Sequence, residues 1–441
     1  MSSPLDLENA LRVLDHLQPT RVAGRVTELT GLVMRATAPG ARAGELVTID
    51  RSRGGPLRAE VVGFRGEEVV LLPLGDAAGV GPDSVVRPTG RPFSIRCGPS
   101  LLGRVLDGIG EPIDGLGEPE GLEPWSVERN SPEPLSRRRV TAPLSLGVRA
   151  IDGCLTIGEG QRIGLFAGPG LGKSTLLGQI ARSSTAEVNV IGLVGERGRE
   201  VRDFIESELG PEGLSRSVVV AATSDASPLL RLKSALVATA IAEHFRARGK
   251  RVLLLLDSLT RVARAQREVG LAAGEPPARQ GFPPSVFALL PRLLERTGQS
   301  DRGSITALYA VLTSAQGGDD GDDPIADEVR AILDGHIWLS RELAARNHWP
   351  AIDIVRSLSR VMDEIVSPAQ RRAAANLREV VAIYERQREL IQLGAYRRGS
   401  DADTDWALER IDEAYRFLRQ PRDQPEPLET ARHKLIQLFG D

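Results

Sequence analysis

The sequence predicts a three-part α/β protein: a small N-terminal β-barrel, a central parallel sheet flanked by helices, and a C-terminal helical domain. Three observations carry this expectation. Residues 21–92 hold short strand-like runs between Gly and Pro turns. From about residue 150, apolar strands alternate with stretches of helical period. After about 366 the strands stop. The expected boundaries are 1–92, 93–365 and 366–441, and 441 residues leave room for them.

The elements follow in order. Over residues 5–17 the apolar side chains Leu7, Ala10, Leu11, Leu14 and Leu17 recur at helical spacing. Such a helix packs on its own barrel or docks a partner. The runs Val26–Leu29, Glu45–Ile49, Ala59–Phe64 and Glu68–Leu72 have the length and turn spacing of a small antiparallel barrel or sandwich. Pro112, Pro119, Pro124, Pro132 and Pro134 then mark a long irregular connection ending in Arg137, Arg138 and Arg139. The strands Arg162–Ala167, Val188–Val194, Ser217–Ala222, Val252–Leu256 and Ser304–Leu312 alternate with helical segments such as Leu229–Arg248. That alternation implies a mostly parallel sheet with helices on both faces. Ala369–Leu393 and Asp405–Leu418 read as helices, with a break at Gly399–Asp403.

Composition excludes several classes. Apolar residues make up 41% and charged residues 26%, as in ordinary globular chains. A net charge of −3 gives no bulk electrostatic reason to bind nucleic acid. The longest wholly apolar run, Ala307–Leu312, is far short of a membrane span. The first residues lack the basic start and apolar core of a signal peptide. Cys97 and Cys154 cannot build a disulfide framework and lack metal-ligand spacing, so they are expected as small buried side chains. The chain reads as cytoplasmic.

The chemistry centres on Ala167-Gly168-Pro169-Gly170-Leu171-Gly172-Lys173-Ser174-Thr175. It follows an apolar strand and opens a helical run, the context a phosphate loop requires. Glycines let backbone N–H groups converge on phosphate oxygens, and the helix N-terminus adds partial positive charge. Residues 168–175 are therefore the expected nucleotide-binding loop. Within it Lys173 neutralises the β- and γ-phosphates, and the Ser174 hydroxyl serves Mg²⁺. Ala167 stands where the consensus has Gly, and Pro169 stiffens the loop. Eighty-four residues after Lys173, the apolar strand Val252–Leu256 ends in Asp257, a carboxylate suited to the second shell of the same metal. Between them, Glu196 ends another strand in Gly195-Glu196-Arg197-Gly198-Arg199-Glu200-Val201. Loops at the C-terminal strand edges form the ligand crevice of a parallel sheet. A carboxylate there can orient the water that attacks a γ-phosphate; spacing alone equally allows a salt bridge to Arg197 or Arg199.

These segments, with Gly274-Glu275-Pro276-Pro277, Ile332-Leu333-Asp334-Gly335-His336, Pro350-Ala351-Ile352-Asp353 and Ser357-Leu358-Ser359-Arg360, strongly resemble the ATPases of type III secretion. That family comprises injectisome and flagellar export ATPases and is similar to the catalytic β subunit of rotary ATP synthases. The resemblance covers nearly the whole chain and is weakest before residue 90. It implies a RecA-like ATPase core. It makes Ala167 ordinary and leaves Pro169 as a departure. It places Glu196 on the catalytic carboxylate and Arg197 near the γ-phosphate. It puts Arg360 on the arginine finger supplied by a neighbouring subunit, and Trp349 on an aromatic position that packs on adenine. A guanidinium suits the charge that develops on γ-phosphoryl oxygens, and an indole face stacks on a base.

The resemblance further implies Mg²⁺-dependent ATP hydrolysis by a homohexamer, energising release and unfolding of export substrates at the base of an injectisome. The alternatives are a flagellar export ATPase and a rotary β-type subunit. Implied partners are a stator, a central stalk, an export gate and chaperone–effector complexes. Membrane association is peripheral, through those partners, at the inner face of the cytoplasmic membrane. The acidic loop Asp319–Asp323 is expected as a solvated loop, and His336 as a structural histidine.

Overall fold

The computed structural model describes residues 23–313 and 323–440. The helix expected over 5–17 and residues 319–322 of the acidic loop lie outside the described residues. Asp323 itself caps the helix Pro324–Ile332, accepting the N–H groups of Ile325 and Ala326.

The described residues divide into two compact units between Phe93 and Ser94. In the first, six antiparallel strands close a barrel in the order β1-β2-β5-β4-β3-β6. They are β1 (Gly24–Thr30), β2 (Val33–Thr37), β3 (Glu45–Ile49), β4 (Leu57–Arg65), β5 (Glu68–Pro73) and β6 (Val85–Pro92). Alternation turns Val26, Met34, Val47, Ile49, Val61, Leu71 and Val86 into a sealed core. Closure leaves no unpaired strand edge. Four of these strands were legible as apolar runs. β2 is only five residues long, and β6 carries Pro88, Gly90 and Pro92, which disguise it.

The second unit begins with β7 (Ser94–Cys97), β8 (Val105–Leu106) and β9 (Glu123–Ser126). The main strands are β10 (Arg162–Ala167), β11 (Val188–Glu196), β12 (Ser217–Thr223), β13 (Arg251–Asp257), β14 (Gly298–Gln299), β15 (Ser304–Leu312), β16 (Gly335–Leu339) and β17 (Ile352–Ser359). Their order is β17-β16-β10-β15-β13-β11-β12-β8, with β14 off this path against β15. All neighbours pair in parallel except β16 with β17 and β14 with β15. β11 is buried along its whole length, as expected of a strand covered on both faces. The helix Pro228–Ala247 packs on β11, β12 and β13.

The helices Pro368–Gln392, Ala402–Leu418 and Leu428–Phe439 complete the fold. Leu377, Val380, Phe417, Leu435 and Phe439 share one continuous core with Leu165, Ile180, Leu193 and Leu255 of the sheet and its helices. The C-terminal helices are therefore packed against the sheet and the helix Lys173–Ser183 rather than tethered by a linker. Cys97 and Cys154 are buried and free.

Candidate active site

The site grows from β10. Its residues Ile163–Ala167 are buried, and the chain then turns through Gly168–Gly172 into the helix Lys173–Ser183. Gly172 is the N-cap, with φ +77° and no side-chain cap. The first N–H groups of that helix therefore have no capping side chain, which makes an anion site. Gly172 is required for a second reason: a Cβ there would lie 3.0 Å from the ring of Trp349. Pro169 sits exposed at the apex of the loop. At the other end of the helix, Arg216 donates to the carbonyls of Ala181, Arg182, Ser184 and Ala186 at 2.7–3.2 Å. That guanidinium closes the helix C-terminus and fixes the loop from behind.

Parallel register brings the carboxylates together. Leu193 of β11 lies opposite Asp257 of β13. The pairing of β11 with β12 shifts between Val194 and Glu196, and Gly195 adopts φ +69°. This bulge re-aims the strand end so that Glu196 faces the loop. The Lys173 ammonium donates to the Asp257 carboxylate and lies 3.9 Å from Glu196 Oε1. All three side chains are largely buried. Arg261 donates from one nitrogen to the Gly195 carbonyl and from the other to Glu196 Oε2 at 3.0 Å. A Cβ on Gly195 would stand 3.1 Å from the Arg261 chain, so this glycine also makes room for the guanidinium.

Burial is the main cause that pushes Glu196 up to about 7. The Asp257 charge and a hydrogen bond to Glu200 add to it; Lys173 and Arg261 oppose it. Glu200 moves the other way, lowered chiefly by that same hydrogen bond. The two carboxyls therefore titrate as a pair, with the proton held more tightly on the Glu196 side. A carboxyl poised near neutrality beside a phosphate loop is suited to take or orient the proton of a nucleophilic water.

The remaining expected residues fall as follows. Ser174 is exposed at the helix start, and Thr175 donates to Glu208 at 2.9 Å. Arg197 points outward and pairs with Glu200 at 3.3 Å, and Arg199 pairs with Asp203, so neither forms the salt bridge with Glu196 that spacing allowed. Trp349 is half-exposed, with its ring against Gly172. Arg360 follows the edge strand β17; its backbone N–H bonds Asp334, and its exposed side chain has no partner among the described residues. His336 bonds the Arg356 carbonyl at 3.0 Å, a structural role. Sequence reasoning assigned no role to Arg261, Glu200 or Glu208. Glu200 stood in the quoted motif, four residues past Glu196, and its bond returns to that carboxylate. Arg261 carried no such signal, because it reaches Glu196 across the sheet rather than the Asp257 that precedes it. Glu208 carried no signal, because only the fold sets it against Thr175.

Comparison with known proteins gives a consistent picture. The nucleotide-binding domain of the ATP synthase alpha/beta family matches residues 147–359, and the beta-barrel domain of that family matches 26–90. The T3SS EscN ATPase C-terminal domain matches 366–437. A type 3 secretion system ATPase of Xanthomonas euvesicatoria is 52% identical over 439 residues, covering 99% of this chain and 98% of that protein. A flagellum-specific ATP synthase of Bacillus subtilis (strain 168) is 49% identical over 420 residues, covering 95% of both. The assembled ATPase EscN, solved in complex with its central stalk EscO from the enteropathogenic E. coli type III secretion system, superposes with a TM-score of 0.87 at 45% identity. That match covers 94% of this chain and 100% of the solved one.

Proposed function

Because the chain belongs to the family of type III secretion and flagellum-specific ATPases, which spend ATP on type III protein secretion, we propose that hydrolysis occurs at the Lys173–Glu196–Asp257 cluster. The observation that carries this is the convergence of those three side chains, from a helix start and two strand ends, at an uncapped helix N-terminus. Residues 168–175 bind the phosphates, and Lys173 neutralises their developing charge. Glu196 holds and accepts the proton of the attacking water. Burial sets its ionisation, and Glu200 and Arg261 adjust it in opposite directions. Trp349 stacks on adenine.

Ser174 and Asp257 offer hard oxygen donors, which fit Mg²⁺, an ion that keeps several waters and takes the rest of its shell from phosphates. When bound, that ion supplies Lewis-acid stabilisation of the phosphate oxygens. Arg360 lies exposed at the sheet edge with no side-chain partner among the described residues, which supports its use by a neighbouring subunit. A site shared in this way makes the assembly a closed head-to-tail ring, read here as a homohexamer around a central stalk. Stator, export-gate and chaperone–effector contacts, and a peripheral seat at the inner face of the cytoplasmic membrane, complete the proposal. Among the described residues, no helix is long and apolar enough to cross a membrane.

We infer an injectisome, with a type 3 secretion system ATPase 52% identical over 99% of the chain in support. The 49% identity to a flagellum-specific relative favours a second reading, flagellar export. Two experiments test the proposal. Glu196→Gln should retain ATP binding and lose about 10²- to 10⁴-fold in kcat; near-wild-type turnover removes Glu196 from the mechanism. A tagged pull-down from native membranes should recover injectisome export-gate and stator components. Recovery of flagellar components moves the protein to motility, and recovery of a rotary stalk alone overturns the secretion reading.

A further inference from the structure

The short helix Arg341–Ala345 ends four residues before Trp349, the tryptophan that faces the phosphate loop. Its last turn closes by two backbone bonds: Asn347 N–H to the Ala344 carbonyl at 3.0 Å, and His348 N–H to the Leu343 carbonyl at 2.9 Å. This double closure requires a left-handed residue at position 347, normally glycine. Asn347 occupies it with φ +55°. Asparagine adopts that conformation less readily than glycine, so its side chain should supply something glycine lacks. It does: Asn347 Oδ1 accepts the indole N–H of Trp349 at 2.9 Å. The Trp349 carbonyl is held separately, by the Gln420 N–H at 2.9 Å. One edge of the ring lies against Gly172, where a Cβ would be 3.0 and 3.4 Å from two ring carbons. The indole is thus fixed at its backbone, at its nitrogen and at its benzo edge, while 38% of the residue stays open.

We propose that Asn347 is a positioning residue for nucleotide binding: it fixes the plane of Trp349 and occupies its only hydrogen-bond donor, leaving the indole to recognise the base by its face alone. The proposal rests on the reading of Trp349 as the adenine-stacking residue. Asn347 touches neither phosphate nor reacting atoms. Its effect therefore belongs to affinity, through a ring that is already oriented before the base arrives. Recognition by a face without an edge hydrogen bond tolerates different bases.

The test uses the full chain and three variants. Asn347→Gly keeps the left-handed backbone and removes only the acceptor. Asn347→Asp keeps an acceptor and tolerates the same angle. Trp349→Ala removes the ring. Affinity is read with a fluorescent N-methylanthraniloyl ATP, turnover with ATP, and the indole bond from the Trp349 N–H resonance, assigned by its loss in Trp349→Phe. Asn347→Gly should raise Kd and KM about three- to tenfold, the span of one neutral hydrogen bond, with kcat within about twofold of wild type. It should also move the indole resonance upfield, and Asn347→Asp should restore most of both. If Trp349→Ala weakens binding and Asn347→Gly does not, the positioning role is overturned and stacking stands. If Trp349→Ala leaves affinity unchanged, the base lies elsewhere, and both the stacking reading and this proposal fail; Glu196→Gln still judges hydrolysis separately. A fall in kcat that matches the loss of affinity, or no rescue by Asn347→Asp, also overturns it.

Discussion

Arg261 offers the most direct test of how this site sets the ionisation of its carboxylate. Arg261→Gln removes a guanidinium that bonds Glu196 Oε2 at 3.0 Å and the carbonyl of the preceding glycine. Glu196 already sits at about 7, because burial and Asp257 outweigh Lys173 and Arg261. Losing one of the two opposing cations moves it higher. An opposite charge at this range displaces a carboxyl by about 1–3 pH units. At pH 7 Glu196 is close to half ionised, so a rise of about 1–2 units leaves roughly a tenth to a hundredth in the carboxylate form. If the carboxylate is the working form, kcat/KM at pH 7 falls about 5- to 50-fold and recovers as pH rises. The assay is kcat/KM for ATP from pH 5.5 to 9.5 in both proteins. Because both act on the same substrate, its own ionisation cancels in the comparison. A variant whose profile is lower but parallel to wild type, with the same apparent pKa, refutes the idea that Arg261 tunes Glu196. It would leave Arg261 with a different role, such as direct contact with phosphate.

Three further outcomes follow from the same geometry. Inactive Lys173→Ala and Arg360→Ala chains, mixed under conditions where hybrid rings form, should regain part of wild-type ATPase; no recovery at any ratio argues against a shared site. Glu196 is raised from 4.5 to about 7 in the fold, so the folded state binds the extra proton. Its stabilising influence is full below about 4.5 and is lost as pH rises through 7, by at most about 3 kcal/mol. Urea unfolding of Glu196→Gln should accordingly show a flatter pH dependence between 4.5 and 7, and an unchanged slope contradicts the assignment. Arg216→Ala frees four carbonyls at the end of the phosphate-loop helix and should lower stability by about 2–4 kcal/mol. A thermal scan at fixed rate measures it, and an unchanged midpoint removes Arg216 from the support of the loop.

The legible parts of this protein are those whose cause lies within a few residues. The phosphate loop could be read because a buried strand, a glycine turn and a helix start are contiguous, and each has a local requirement: apolar side chains, left-handed φ, exposed N–H groups. β10 and β15 appear with the bounds their apolar runs suggest, since strands covered on both faces must be apolar throughout. β2 and β6 were not visible, because a short strand and one bearing Pro and Gly owe their conformation to barrel closure. The helix Leu428–Phe439 went unread, though its buried Leu428, Ala431, Leu435 and Phe439 follow helical spacing.

The sequence by itself determined the type of chemistry: Lys173 next to a glycine loop, and carboxylates at strand ends. Tertiary structure decided how those groups work together. Which carboxylate faces Lys173 depends on the register of β11 against β13 and on a bulge at Gly195, both set by pairing between distant strands. That Glu196 meets Arg261 rather than Arg197 or Arg199 depends on a helix that returns from β13, 65 residues away in sequence. Its ionisation near neutrality comes from burial, which no stretch of sequence contains. The tryptophan could be read only through the family resemblance, as an aromatic expected to pack on adenine; its contacts with a left-handed asparagine, a glycine N-cap and Gln420, just past a C-terminal helix, come from the fold. Local sequence specifies conformation through short-range sterics and hydrogen bonds. Charge, proton affinity and orientation follow from neighbours that only the folded chain brings within a few ångströms.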